Sequence, residues 1–298
     1  MIDERNARKE IVQFSHLCYE RRLLVGMDGN LSVRLRDGSI LCTQAGCHKG
    51  LLDESHLVVI DDKGRKLRGR GEPTSEMLMH LAAYEERPDC MAVIHAHPPM
   101  AIAFTIAGQS MARCVLPEVV LTLGVIPIVE YATTGTSTLA DKIRPVVHRH
   151  DALIMDTHGV VALGTNLLEA FCRMETVEHT AYITKQARDM GGVKDLDPEE
   201  AVRLRSMGLK RYGGPPEAVA LADGPGADLP EICTGCTGCV NPTPTGIAPH
   251  SDLRLARLIN AAGPPPVPAP VRSLVEEEVL RALREGEMNW VSSAGVHT

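Results

Sequence analysis

The chain has 298 residues, 44% hydrophobic and 23% charged, with a formal net charge of −7 and a pI near 5.9. A chain of this length buries a substantial core; its acidic balance leaves no basic surplus for a nucleic-acid backbone, and no apolar run is long enough to span a bilayer, so neither nucleic acid nor membrane is an expected partner. Residues 1–10 are too charged for a secretory leader, and nine cysteines, an odd number, read as reduced thiols or ligands, so a cytoplasmic setting is expected.

Ile11, Phe14, Leu17, Cys18 and Leu24 mark one face of a first helix, ended by Gly26 and Gly29. Short β-favouring runs follow at Ser39–Cys42 and Leu57–Ile60, the second closed by the turn Asp61-Asp62-Lys63-Gly64. Thr74 and Ser75 open a helix whose apolar positions are Met77, Leu78, Leu81 and Tyr84. Further strands are read at Met91–His95, Val125–Val129 and Ala152–Met155, before a long helix from about Leu167 to Met190. This order predicts an α/β sandwich around a central sheet.

Side chains on a strand alternate faces, so His95 and His97, closing the apolar run Met91–Ile94, point the same way. Pro98 and Pro99 end that strand. His158 follows the run Ala152–Met155, with Gly159 behind it, and ligands of open α/β sheets gather at such carboxyl ends. With Glu76 upstream, three imidazoles and one carboxylate are available to one divalent metal; zinc accepts both donor types, and three histidines leave a position free for water or substrate. Gly29 lets the backbone approach a ligand closely, while Asn30, Ser32, Thr74 and Ser75 offer hydrogen-bond donors. An anion at the helix start near Thr74 would meet exposed amides and the positive end of the dipole.

Six motifs occur in order over about residues 8–212: Gly29-Asn30-Leu31-Ser32-Val33-Arg34, Thr43-Gln44-Ala45-Gly46, Pro73-Thr74-Ser75-Glu76, His95-Ala96-His97, Tyr131-Ala132-Thr133-Thr134-Gly135-Thr136 and Thr157-His158-Gly159. On these the chain resembles the class II aldolase/adducin family, whose best-known members cleave fuculose phosphate and rhamnulose phosphate. The resemblance implies a three-layer α/β/α sandwich around a central mixed β-sheet. It makes His95, His97 and His158 the ligands of one Zn2+ per chain, and Glu76 the acid/base. Gly29, Asn30, Ala45, Gly46, Thr74 and Ser75 then cradle the substrate phosphate, in a homotetramer with its sites between subunits. The implied reaction cleaves a 6-deoxyketose 1-phosphate, L-fuculose 1-phosphate or L-rhamnulose 1-phosphate, to dihydroxyacetone phosphate and lactaldehyde. Pentulose-phosphate 4-epimerases and sugar-phosphate dehydratases share the fold, and adducin-like binding modules share it without the metal histidines. Two departures stand out. Ala45 replaces a second hydroxyl residue of fuculose-phosphate aldolases, and the Tyr they use at the leaving group is replaced near Leu116-Pro117-Glu118, which leaves Glu118, Tyr131 and Tyr212 as the ionisable groups near family motifs.

The family-like part is residues 1–214, followed at 215–270 by a Gly/Pro-rich linker. The linker ends in Pro264-Pro265-Pro266-Val267-Pro268-Ala269-Pro270, an extended, semi-rigid spacer. Over 271–286, Val271, Leu274, Val275, Val279, Ala282 and Leu283 recur at helical spacing against Glu and Arg, and Gly286 can stop the helix. A helix this short is marginal alone and gains most by burying its apolar face. It either folds back on its own oligomer or docks on a partner. It is similar to the encapsulation peptides that load enzymes into bacterial microcompartments, which implies a shell protein as partner and a location inside such a compartment. Ser251–Ile259 is a second, shorter stretch of this kind. Cys233, Cys236 and Cys239 form a C-x-x-C-x-x-C run without the fourth cysteine of a four-iron cluster; a partial Fe-S site, a zinc clip and free thiols all fit it.

Overall fold

The inner strands of this protein are buried on both faces, which is why they read in the sequence as continuous apolar runs rather than as alternations. The computed structural model describes residues 2–215. The cysteine run at Cys233–Cys239, the proline spacer and the helix expected over 271–286 lie outside the described residues.

Eight strands form one sheet: β1 Asn30–Arg34, β2 Ile40–Thr43, β3 Leu57–Ile60, β4 Lys66–Arg68, β5 Ala92–Ala96, β6 Ile128–Val129, β7 Ala152–Met155 and β8 Gly159–Gly164, in the order β4-β3-β2-β1-β5-β8-β7-β6. Only β6 and β7 pair parallel, so the sheet is mixed. Among the described residues seven α-helices accompany it: α1 Glu4–Glu20, α2 Met77–Glu86, α3 Pro99–Ile106, α4 Pro117–Thr122, α5 Ser137–Val147, α6 Leu167–Asp189 and α7 Pro198–Tyr212. Leu31, Val33, Ile94 and Ala162 face Ile11 and Phe14 of α1, Phe104 of α3 and Phe171 and Met174 of α6. Their strand neighbours Val58, Val93, Leu153 and Val161 face α2 and α5. The result is the expected α/β/α sandwich, and each fully buried Leu, Ile or Phe in it contributes about 1.5–3 kcal/mol by leaving water.

Several boundaries differ from the sequence reading. The first helix ends at Glu20, because Arg22 turns the chain at φ 59°, and Arg22 and Leu23 amides bond back to Tyr19 and Cys18; this left-handed stop precedes Gly26 and Gly29. The strand expected over Val125–Val129 is only Ile128–Val129. The helix expected to open at Thr74 and Ser75 starts at Met77 with Glu76 as its N-cap, and Leu78 faces solvent at 44% exposure. β8 directly follows the turn after β7 and is the strand that joins the two halves of the site: β5 and β7 both pair antiparallel with it, so their carboxyl ends share one edge of the sheet. β1 starts at that edge, with Asn30 opposite His95, and β2 ends there at Thr43.

Candidate metal centre

His95, completely buried, lies 3.0 Å through Nδ1 from the Val160 carbonyl. A carbonyl only accepts, so Nδ1 carries the hydrogen and Nε2 is left as a lone-pair donor. His97 follows β5, its amide held by the Leu23 carbonyl at 2.8 Å. His158 sits in the three-residue turn between β7 and β8, beside Thr157, which adopts φ 54°. Its Nε2 is 3.1 Å from Glu76 Oε1 and His95 Nε2 is 3.2 Å from Glu76 Oε2. His97 Nε2 is 3.0 Å from His95 Nε2.

The ligand atoms of His95, His97 and His158 all lie within 4.8 Å of one another, a spacing that accommodates bonds of about 2.0–2.1 Å to one ion. The donor set also fits chemically. Imidazole nitrogens facing each other and a carboxylate lack only a cation between them. Burial, then the neighbouring His95 and His158 imidazoles, push the His97 pKa down to about 4, so the ring is neutral near pH 7, as ligation requires. Burial raises the pKa of Glu76, but the facing His158 and His95 imidazoles and the Asn30 amide outweigh it and hold the carboxyl below the usual carboxylate range.

Two glycines make this convergence possible. A Cβ on Gly159 would stand 2.6 Å from the Ala96 carbonyl oxygen and 2.8 Å from both the His95 and His97 rings. At Gly29, φ is +66° and a Cβ would meet the His95 carbonyl oxygen at 2.6 Å. Any side chain at either position displaces the histidine strand.

The centre opens into a cleft of about 290 Å³. Gly29, Asn30, Ala45, Gly46, Thr74 and Ser75, the residues expected around a substrate phosphate, all line it with Glu76, His97 and His158. Asn30 spends one amide hydrogen on Glu76 Oε2 at 2.9 Å. Ser32, expected as a further donor toward a ligand, is instead fully buried and bonded to His80 and Tyr84. The proton-shuttle positions fall elsewhere: Glu118 lines a different pocket, while Tyr131 and Tyr212 are more than half exposed and absent from the cleft wall.

Lys49 and Thr134 line the cleft as well, as do Met27, Asp28 and Gln44. Lys49 is 1% exposed, and its ammonium donates to the carbonyls of Met27 and Cys47, both at 2.9 Å. It thereby ties the loop before β1 to the loop after β2. A lysine normally reads as solvent-facing; its one sequence signal is its place three residues after Gly46. Thr134 sits inside the Tyr131–Thr136 motif.

Comparison with known proteins agrees with this geometry. The Class II Aldolase and Adducin N-terminal domain matches residues 9–184. The chain is 35% identical over 173 residues to an L-fuculose phosphate aldolase of Methanococcus vannielii, covering 58% of this chain and 92% of that one. It is 32% identical over 207 residues to a 3-oxo-tetronate 4-phosphate decarboxylase of Escherichia coli K12, covering 68% and 97%. A solved L-fuculose 1-phosphate aldolase superposes with a TM-score of 0.64 at 30% identity, over 69% of this chain and 96% of that one. With the match spanning more than half its length and the histidines and Glu76 gathered at one sheet edge, this chain belongs to the class II aldolase and adducin family.

Proposed function

We propose that the protein is a zinc-dependent lyase that cleaves a 6-deoxyketose 1-phosphate, L-fuculose 1-phosphate or L-rhamnulose 1-phosphate, into dihydroxyacetone phosphate and lactaldehyde. The observation that carries this reading is the convergence of His95, His97, His158 and Glu76 on one point at the wall of a polar cleft. A divalent cation held by the three histidines would supply Lewis-acid polarisation of the substrate carbonyl. Glu76, touching two of those imidazoles and ionised at rest, is the base that takes the proton from C3 in condensation and, by microscopic reversibility, the acid that returns it in cleavage. Gly29 and Gly46 let the backbone approach the phosphate, Thr74 and Ser75 offer hydroxyls, and Lys49, the one lysine or arginine among the described residues of the cleft wall, supplies positive charge.

A second reading is decarboxylation of a 3-oxo acid phosphate, the reaction named for the relative in Escherichia coli. Retro-aldol cleavage needs a group to take the proton from the C4 hydroxyl, and Glu118, Tyr131 and Tyr212 do not line the cleft. Loss of carbon dioxide needs no such group. The test is a product assay on the purified, metal-assayed protein with L-fuculose 1-phosphate, L-rhamnulose 1-phosphate, ribulose 5-phosphate and 3-oxo-tetronate 4-phosphate. Lactaldehyde with dihydroxyacetone phosphate supports the aldolase; carbon dioxide from the last compound alone selects the second reading. An epimer of ribulose 5-phosphate would mean a 4-epimerase, and no turnover of any compound a binding module.

The proposal extends to a homotetramer and to residues 271–286 as an encapsulation peptide for a microcompartment shell protein, supported by the amphipathic spacing of Leu274, Val275 and Leu283 behind a proline spacer. A reporter fused to residues from Pro264 onward should co-purify with shells, and Leu274→Glu with Leu283→Glu should abolish that. Loss of aldol cleavage on deleting the tail would assign the helix to the catalytic core or its oligomer interface instead.

A further inference from the structure

A line of buried polar side chains runs back from Glu76 into the layer between β1 and α2. Asn30 Nδ2 donates to Glu76 Oε2 at 2.9 Å. Asn30 Oδ1 lies 2.5 Å from His80 Nε2, His80 Nδ1 lies 2.7 Å from Ser32 Oγ, and Ser32 Oγ lies 2.8 Å from the Tyr84 hydroxyl. His80 and Ser32 are completely buried, and Asn30 and Tyr84 nearly so.

The chemistry of each group fixes which atom donates. An ionised carboxylate only accepts, so Asn30 must turn its NH2 toward Glu76 and its carbonyl toward His80. His80 Nε2 then carries the ring hydrogen. In a neutral ring Nδ1 is left as an acceptor, so the Ser32 hydroxyl donates to it and accepts in turn from Tyr84. We propose that Ser32, His80 and Asn30 form a one-directional hydrogen-bond relay that holds the Glu76 carboxylate in its orientation at the metal centre, with His80 as a positioning residue fixed in its Nε2–H tautomer and Tyr84 outside the relay, packed behind Ser32. Burial, then the charge of His95, pushes the His80 pKa down to about 3, in keeping with a neutral ring. The consequence for turnover rests on the reading of Glu76 as acid/base; the tautomer does not.

The direction depends on Ser32 and much less on Tyr84. Without the Ser32 hydroxyl, Nδ1 faces no donor, the ring is free to exchange tautomers, and Asn30 can flip to set its carbonyl against the Glu76 carboxylate. Without the Tyr84 hydroxyl, Ser32 still donates to His80. A purely structural network would make no such distinction.

The experiment compares the full-length, metal-loaded protein with Ser32→Ala and Tyr84→Phe. Ring 15N shifts of labelled histidine should show His80 as Nε2–H in the parent and in Tyr84→Phe, and shifted toward Nδ1–H in Ser32→Ala. On the substrate the product assay identifies, kcat of Ser32→Ala should fall on the order of 10-fold with KM unchanged, and kcat of Tyr84→Phe should stay near the parent. An Nδ1–H or doubly protonated His80 in the parent overturns the relay, as does an equal loss of kcat in both variants. Should Ser32→Ala fail to fold, the tautomer in the parent and in Tyr84→Phe still decides. Should no substrate be turned over, the shifts alone do so.

Discussion

Two buried polar clusters sit at opposite ends of the same strands, and they are completed in opposite ways. Just before β7, Asp151 is held by Arg87 at 2.8 Å and Arg173 at 2.9 Å, and Arg87 also binds Asp89 and the Val147 carbonyl. Every charge there meets an opposite charge. At the far ends of β5 and β7, imidazole faces imidazole, with His95 and His97 nitrogens 3.0 Å apart and one carboxylate between the rings. A cluster that neutralises itself is architecture, whereas one whose donors converge on each other is a receptor for something absent from the chain.

The comparison breaks most completely at the histidines. His95→Ala should abolish both turnover and metal binding, measured as stoichiometry by elemental analysis, and chelation should lower the melting temperature of the parent. An ion present at a thousand times its Kd stabilises the fold by about 4.1 kcal/mol. The Asp151 cluster should be indifferent to chelation. Full activity in a rigorously metal-free sample would end the receptor reading.

Next is Glu76→Gln, which keeps the shape but cannot exchange a proton. The expected loss is on the order of 10²–10⁴-fold in kcat with metal content retained. Near-parental turnover in a metal-replete sample would remove Glu76 from the acid/base role.

At the other end, Asp151→Asn should cost about 1–3 kcal/mol of stability, because each buried guanidinium loses one of its two acidic partners, Arg87 keeping Asp89 at 2.7 Å and Arg173 keeping Glu169 at 2.8 Å. Arg87 and Arg173 are 4% and 12% exposed, so water reaches them poorly. Denaturant melts should show the loss while metal stoichiometry stays unchanged. A simultaneous loss of metal would mean that the two ends are coupled through β7 and β8.

The two ends were not equally legible in the sequence. His95 and His97 are readable because the period of two belongs to any strand, and the triad with Glu76 and Gly159 falls in short contiguous motifs. The buried ion cluster is not readable: Arg87, Asp151 and Arg173 are 64 or more positions apart where they involve Arg87, and charged residues read as surface. The relay behind Glu76 is hidden for the same reason, since Asn30 and His80 are 50 positions apart and His80 sits on the inner face of α2. β8 escapes because Gly159 reads as the end of the β7 run, leaving only Val160–Leu163 between glycines. Such a short apolar run has no period that separates strand from loop. Lys49 is concealed by its charge, although it is among the least exposed residues of the cleft.

The smallest effect sharpens the comparison at the turn that delivers His158. Thr157 is β-branched and held at φ 54°, a conformation that costs on the order of 1–3 kcal/mol for a non-glycine residue. The Asp151 end contains no residue with positive φ between Val147 and Ala152. Strain at the metal end is paid by hydrogen bonds: the Thr157 amide donates to Thr105 Oγ1 at 3.0 Å and the His158 amide to the Met155 carbonyl at 3.1 Å. Asparagine tolerates the left-handed region better than threonine, and both hydrogen bonds come from backbone amides that Thr157→Asn retains. The variant should therefore gain about 0.5–1 kcal/mol, seen as a small rise in melting temperature of the metal-free protein, while a metal-loaded sample should still bind one ion per chain. A fall in melting temperature would show that the threonine side chain, through its methyl packing and its hydroxyl bond to the Asp156 carbonyl at 2.8 Å, outweighs its backbone strain.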